Sequence, residues 1–103
     1  MTPESVCRQS VSVNLENGLH LVPGSRIAVL SRQFECDVKI YHGTTIADAK
    51  NVFDIMALGA VAGTQLELET RGADAEAAIK ALVHLFETDF EIDDVQPQPG
   101  ESA

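Results

Sequence analysis

Asn17-Gly18-Leu19-His20-Leu21-Val22-Pro23 separates two kinds of hydrophobic spacing in this 103-residue chain. Before it, residues 5–15 alternate: Val11 and Val13 are apolar, and Ser10, Ser12 and Asn14 are polar. That two-residue period is the mark of a half-buried strand. After it, Ile27, Leu30 and Phe34 recur at helical spacing, with Ala28 and Val29 widening the face, which predicts a helix over residues 21–33. Asn17-Gly18 alone would suggest a hairpin turn. Pro23 and the helical spacing behind it argue instead for a loop that runs into a helix, because proline suits a first turn, where its missing N–H costs nothing.

The rest of the chain continues the pattern. Residues 36–41 alternate and predict a second strand; His42-Gly43 is a turn, and Thr44-Thr45-Ile46 a short third strand. Asp48 is the expected cap of a second helix over residues 49–57, with Gly59 near its stop. That helix carries Val52, Phe53, Ile55, Met56 and Leu58, too many apolar residues for one buried face. Two readings stay open: an outward apolar docking patch, or deeper burial. After Gly63, Gln65, Glu67 and Glu69 alternate with Leu66, Leu68 and Thr70, giving a fourth strand with one wet and one dry face. Arg71-Gly72-Ala73 is a turn and Asp74 caps a third helix. There Ala75, Ala78, Ile79, Leu82, Val83 and Phe86 form the clearest amphipathic stripe of the sequence.

The order β-α-β-β-α-β-α predicts an α+β fold, an open-faced sandwich of a four-stranded antiparallel sheet with three helices on one face. A single domain is expected over residues 1–90, followed over 91–103 by an acidic, proline-containing tail expected to be disordered.

Composition excludes several functions. The net charge of −9, with seven Lys and Arg in all, leaves no basic patch for nucleic acid. No apolar run approaches the roughly 20 residues of a membrane span, and the first residues carry neither a basic nor an apolar segment, so no signal peptide and a cytoplasmic location are expected. Cys7 and Cys36 form no C-x-x-C and are expected to be reduced thiols. No convergent His and Cys set points to a metal or cofactor, and no nucleophile elbow points to a hydrolase. The acidic run over residues 87–94 reads as a solvated chain end.

Three histidines remain. His42 falls in a predicted hairpin turn and is expected to be solvated; His84 lies between stripe positions and faces water or the rim. His20 stands at a helix start, where unpaired N–H groups and the positive end of the dipole favour an anion. An imidazole there can take a phosphoryl group while the helix end receives its oxygens. Position alone, however, favours a capping or structural histidine.

A further pattern changes that balance. The matching residues are Asn17-Gly18-Leu19-His20 with Pro23, then Phe34, Ala49-Lys50, Phe53, Leu58-Gly59, Gly63-Thr64 and Gly72-Ala73-Asp74. In this order and spacing, residues 5–90 resemble the HPr family of phosphocarrier proteins. The resemblance implies an open-faced β-sandwich. It also implies phosphorylation of His20 on Nδ1 by enzyme I, with phosphoenolpyruvate as ultimate donor, and onward transfer to a IIA domain of the sugar phosphotransferase system. Asn17, Leu21, Val22 and Pro23 would support the phosphate, Asn17 by orienting the ring and Leu21 and Val22 through their amides. Partners would dock on the first two helices, around Val52, Phe53 and Met56, with Val29 and Arg32 at the edge. A monomer is the expected state, since one face must serve two partners.

The sequence departs from the family pattern twice. Val22 stands where the family usually has arginine, and neither Arg26 nor Arg71, expected at the far end of the fourth strand, replaces it. A charge-assisted contact to phosphate is worth about 1.5–3 kcal/mol, so slower exchange is expected. Asn51 stands where many members carry a regulatory serine, so no kinase phosphate is expected there. A non-transferring regulatory or adaptor domain that kept the docking face is the alternative function.

Overall fold

In the computed structural model, residues 5–91 are described. The elements are β1 (Val6–Ser12), α1 (Leu21–Ser31), β2 (Cys36–His42), β3 (Thr45–Asp48), α2 (Val52–Ala57), β4 (Gln65–Gly72) and α3 (Ala75–Glu87), closed by a single turn, Asp89–Glu91. This is the predicted order. The expected disordered tail falls, from residue 92 on, outside the described residues.

The four strands form one antiparallel sheet in the order β1-β4-β2-β3. The last strand in sequence is thus central, flanked by β1 and β2. The helices cover one face, where Val11, Val38, Ile40, Leu66 and Leu68 meet Ile27, Ala28, Ile55, Ala78, Leu82 and Phe86 in one core. Each large side chain so buried contributes about 1.5–3 kcal/mol relative to exposure. α1 approaches α2 closely because Gly24 has no side chain: a Cβ there would stand 3.5 Å from Val52 Cγ2 and 3.6 Å from Ile55 Cγ2.

Several expectations need correction. α2 begins at Val52 rather than at 49, and its cap is not Asp48. Asp48 pairs with Lys39, and the Ala49 amide donates to the Val38 carbonyl at 2.9 Å, so this backbone is still committed to the sheet. Asn51 takes the cap instead, accepting from the amides of Phe53 and Asp54 at 2.9 and 3.3 Å. Asp74 does occupy the cap position of α3, but its carboxylate accepts from the Glu35 amide at 2.7 Å and makes no cap bond. Val29 was expected to widen the buried face of α1 but points outward. On α3, Leu85 is buried while Ile79 and Val83 are half-buried, so the stripe is shifted from the one read off the spacing.

The wet face of β4 is also drier than expected. Glu69 is only 5% exposed. Because β4 is central, its neighbours close over it: Arg8 on β1 pairs with the carboxylate at 2.7 Å, and the Tyr41 hydroxyl on β2 donates to it at 3.1 Å. His42 is not a solvated turn residue but the end of β2. Its Nδ1 lies 2.9 Å from the Leu58 carbonyl, and a carbonyl only accepts, so Nδ1 carries the proton. Cys7 and Cys36 are both free, and burial pushes the Cys36 thiol up, which leaves it a poor nucleophile.

Candidate functional site

His20 is the N-cap of α1, with extended backbone at φ −86° and ψ −166°, and its side chain makes no cap hydrogen bond. Its carbonyl accepts from the Gly24 amide at 3.0 Å, the first intrahelical bond. Leu21 and Val22 follow as the first two helical residues, both exposed, with amides that have no acceptor inside the helix. Pro23 is the third, buried beneath them. Asn17 is exposed in the turn that precedes His20. His20 itself is half-buried at the surface rather than in the core.

The loop that carries His20 is seated by backbone contacts. Gly18 adopts φ +69°, and its missing Cβ would collide with the Ala60 carbonyl oxygen and stand 2.9 Å from Val61 Cα. The Leu19 amide donates to that same carbonyl at 2.9 Å, and Leu19 is buried. Only glycine allows both the left-handed φ and this approach. The segment after α2 therefore acts as a wall for the His20 loop, a contact between residues some forty apart that no local spacing reveals.

The predicted docking residues divide. Phe53 is 77% exposed and Met56 42%, while Ile55 on the same helix and Leu58 at its C-cap are buried. α2 thus divides: some of its apolar side chains take the deeper burial, and others point outward. Val52 is half-buried and packed against the core, not at the centre of an exposed patch. Val29 on α1 and Arg32 at its C-cap are exposed. Arg32 and Lys50 have a structural task that the sequence did not suggest. The Arg32 Nε donates to the Lys50 carbonyl at 2.8 Å, and the Lys50 ammonium to the Phe34 carbonyl at 3.0 Å, clasping the end of α1 to the approach of α2.

No arginine stands at the first turn of α1, where Val22 is. Arg71 pairs across the sheet with Val6, at the opposite end of β1 from the loop that leads to His20. Among the described residues, no group of three or more His, Cys, Asp and Glu side chains is placed to hold a metal ion, and no helix is long and apolar enough to cross a membrane.

Fold and site together define a class: a small open-faced α+β sandwich that offers one histidine at the start of its first helix. The family model described as the PTS HPr component phosphorylation site matches residues 7–88. The chain belongs to this family, the HPr phosphocarriers of the phosphotransferase system. It is 31% identical over 83 residues to the phosphocarrier protein HPr of Treponema pallidum, covering 81% of this chain and 94% of the relative. It is 29% identical over 87 residues to the phosphocarrier protein NPr of Escherichia coli K12, covering 84% and 97%. A crystal structure of HPr from Thermoanaerobacter tengcongensis superposes with a TM-score of 0.80 at 29% identity, covering 84% of this chain and 97% of that one.

Proposed function

We propose that His20 is a phosphoryl relay: its Nδ1 takes a phosphoryl group from phosphorylated enzyme I and delivers it to a IIA-type domain. In the first transfer a P–N bond forms as the bond from phosphorus to the donor breaks. In the second, the P–N bond breaks as the acceptor attacks. The observation that carries this reading is the position of His20 as N-cap, directly before the first-turn amides of two exposed residues, in a chain of the HPr family. Leu21 and Val22 supply N–H donors and the helix dipole to a group of about −1.5 to −2 charge, a setting worth up to about 2 kcal/mol. Asn17 lies in the preceding turn, from which it orients the ring. Docking uses Phe53, Met56 and Val29, with Val52 beneath and Arg32 at the rim.

Two observations favour the second reading, an adaptor that docks without transferring. Valine stands at position 22 in place of the phosphate-binding arginine, and the rim cations Arg32 and Lys50 already hold backbone carbonyls. Incubation with enzyme I and phosphoenolpyruvate separates the two. An acid-labile, base-stable phosphate on His20, absent from His20→Gln, supports the relay. An unlabelled chain that still binds a IIA domain supports the adaptor.

A further inference from the structure

The wall behind the His20 loop is itself held from across the molecule. Leu58 is the C-cap of α2, so its carbonyl has no partner inside the helix. His42, at the end of β2, donates to that carbonyl from Nδ1 at 2.9 Å. Gly59 follows with φ +63° and turns the chain, and Ala60 then offers its carbonyl to the Leu19 amide at 2.9 Å. Beyond Ala60 the segment is fastened again. The Val61 amide donates to Thr64 Oγ1 at 3.1 Å, the Gly63 amide to the Val13 carbonyl at 2.7 Å, and the Val13 amide to the Thr64 carbonyl at 2.9 Å. Residues 58–64 are thus tied to the sheet on both sides of the point where Leu19 attaches. Downstream the ties run through β1 and the start of β4; upstream the hydrogen bond to the sheet comes from an imidazole.

We infer that His42 is a positioning residue for the acceptor site. By holding the Leu58 carbonyl it fixes Ala60, and through the bond from Leu19 to Ala60 it fixes the loop that presents His20. Leu58 and Ala60 are buried, but a Cβ placed on Gly59 between them would meet nothing within 4 Å, so the turn has no packing of its own. A shift at the first carbonyl therefore reaches the second. Displacing a reacting group by about 1 Å costs about 10²-fold in rate, even when the cause lies far from the chemistry. His42 is not one of the docking residues on α1 and α2, so its effect falls on the transfer step and not on partner association. That consequence for transfer rests on the relay reading; the seating of the loop does not.

The test compares the full chain with His42→Ala and His42→Asn. The asparagine amide nitrogen stands as many bonds from Cβ as Nδ1 does, and so restores the donor. In the wild type, long-range nitrogen–proton NMR is expected to show the His42 ring protonated on Nδ1. Relative to the amides of the central strand β4, the Leu19 amide is expected to exchange about tenfold faster in His42→Ala and to return toward wild type in His42→Asn. Single-turnover labelling of His20 by phosphorylated enzyme I, corrected for the folded fraction, is expected to fall about tenfold in His42→Ala and to recover in His42→Asn, with unchanged affinity for enzyme I. If His42→Ala does not fold, His42→Gln, whose nitrogen stands one bond further out, takes its place. A wild-type ring protonated on Nε2 alone overturns the inference. So does Leu19 exchange that moves only in step with β4, a rate loss that comes entirely from weaker enzyme I binding, or a loss that His42→Asn fails to rescue. If no chain is labelled while Leu19 exchange responds as expected, the relay reading falls and the seating of the loop by His42 stands.

Discussion

Gly18 shows how narrowly the acceptor loop is fixed. A methyl group there would meet the Ala60 carbonyl oxygen and would also have to tolerate φ +69°. Adding the left-handed penalty to an overpacking cost predicts that Gly18→Ala loses about 2–5 kcal/mol in urea unfolding, with slower labelling of His20 in the fraction that folds. Val22 is the opposite case, an exposed position in the first turn of α1. Val22→Arg is expected to leave stability within about 0.5 kcal/mol. If His20 carries phosphate, the new guanidinium supplies about 1.5–3 kcal/mol to it, and initial-rate transfer from enzyme I rises by one to two orders of magnitude. Both residues were visible in the sequence, one as half of an apparent hairpin turn and one as a departure from a pattern. The distance of Arg71 from Val22 was expected too, from its place at the far end of the fourth strand, and its pairing with Val6 agrees; the wall behind Gly18 was not visible.

Among the elements, α2 separates what spacing reveals from what it does not. Its surplus of apolar residues was legible; the division into buried Ile55 and Leu58 and exposed Phe53 and Met56 needed the packing against α1. Its start was misplaced by three residues because Asp48 and Asn51 can both cap, and only sheet pairing decides which is free to do so. Asn51 is the cap, so Asn51→Ala is expected to cost about 1 kcal/mol in chemical denaturation, whereas Asn51→Ser, which keeps a capping oxygen, is expected to stay close to wild type. The serine variant also restores the hydroxyl absent from this position, and serine kinase labelling of it against an unlabelled wild type checks whether the site is otherwise intact.

At the scale of the molecule, the turn at Asp89–Glu91 closes the core. Phe90→Ala removes a fully buried ring and the anchor of three left-handed residues, and a loss of about 3–5 kcal/mol is expected in thermal or denaturant unfolding. The sequence placed the domain limit at residue 90, which is where that ring sits, but it offered no sign of the reversal. A run of Thr-Asp-Phe-Glu has no glycine to announce a left-handed turn, and only the burial of Phe90 against Phe86 offsets its cost. Glu69 and His42 were misjudged for a related reason. Both lie at positions that read as wet, and both are covered by side chains or carbonyls from elements distant in sequence.

Element types, their order, the one-sided sheet and the exposed start of α1 at His20 were set by hydrophobic period and turn residues, because these act between neighbours in the chain. Strand order, the seat of the His20 loop against residues 60–61, the choice of Asn51 as cap and the clasp by Arg32 and Lys50 came only from the folded chain. Each depends on groups far apart in sequence meeting at hydrogen-bond or van der Waals range, and a one-dimensional pattern holds no record of that meeting.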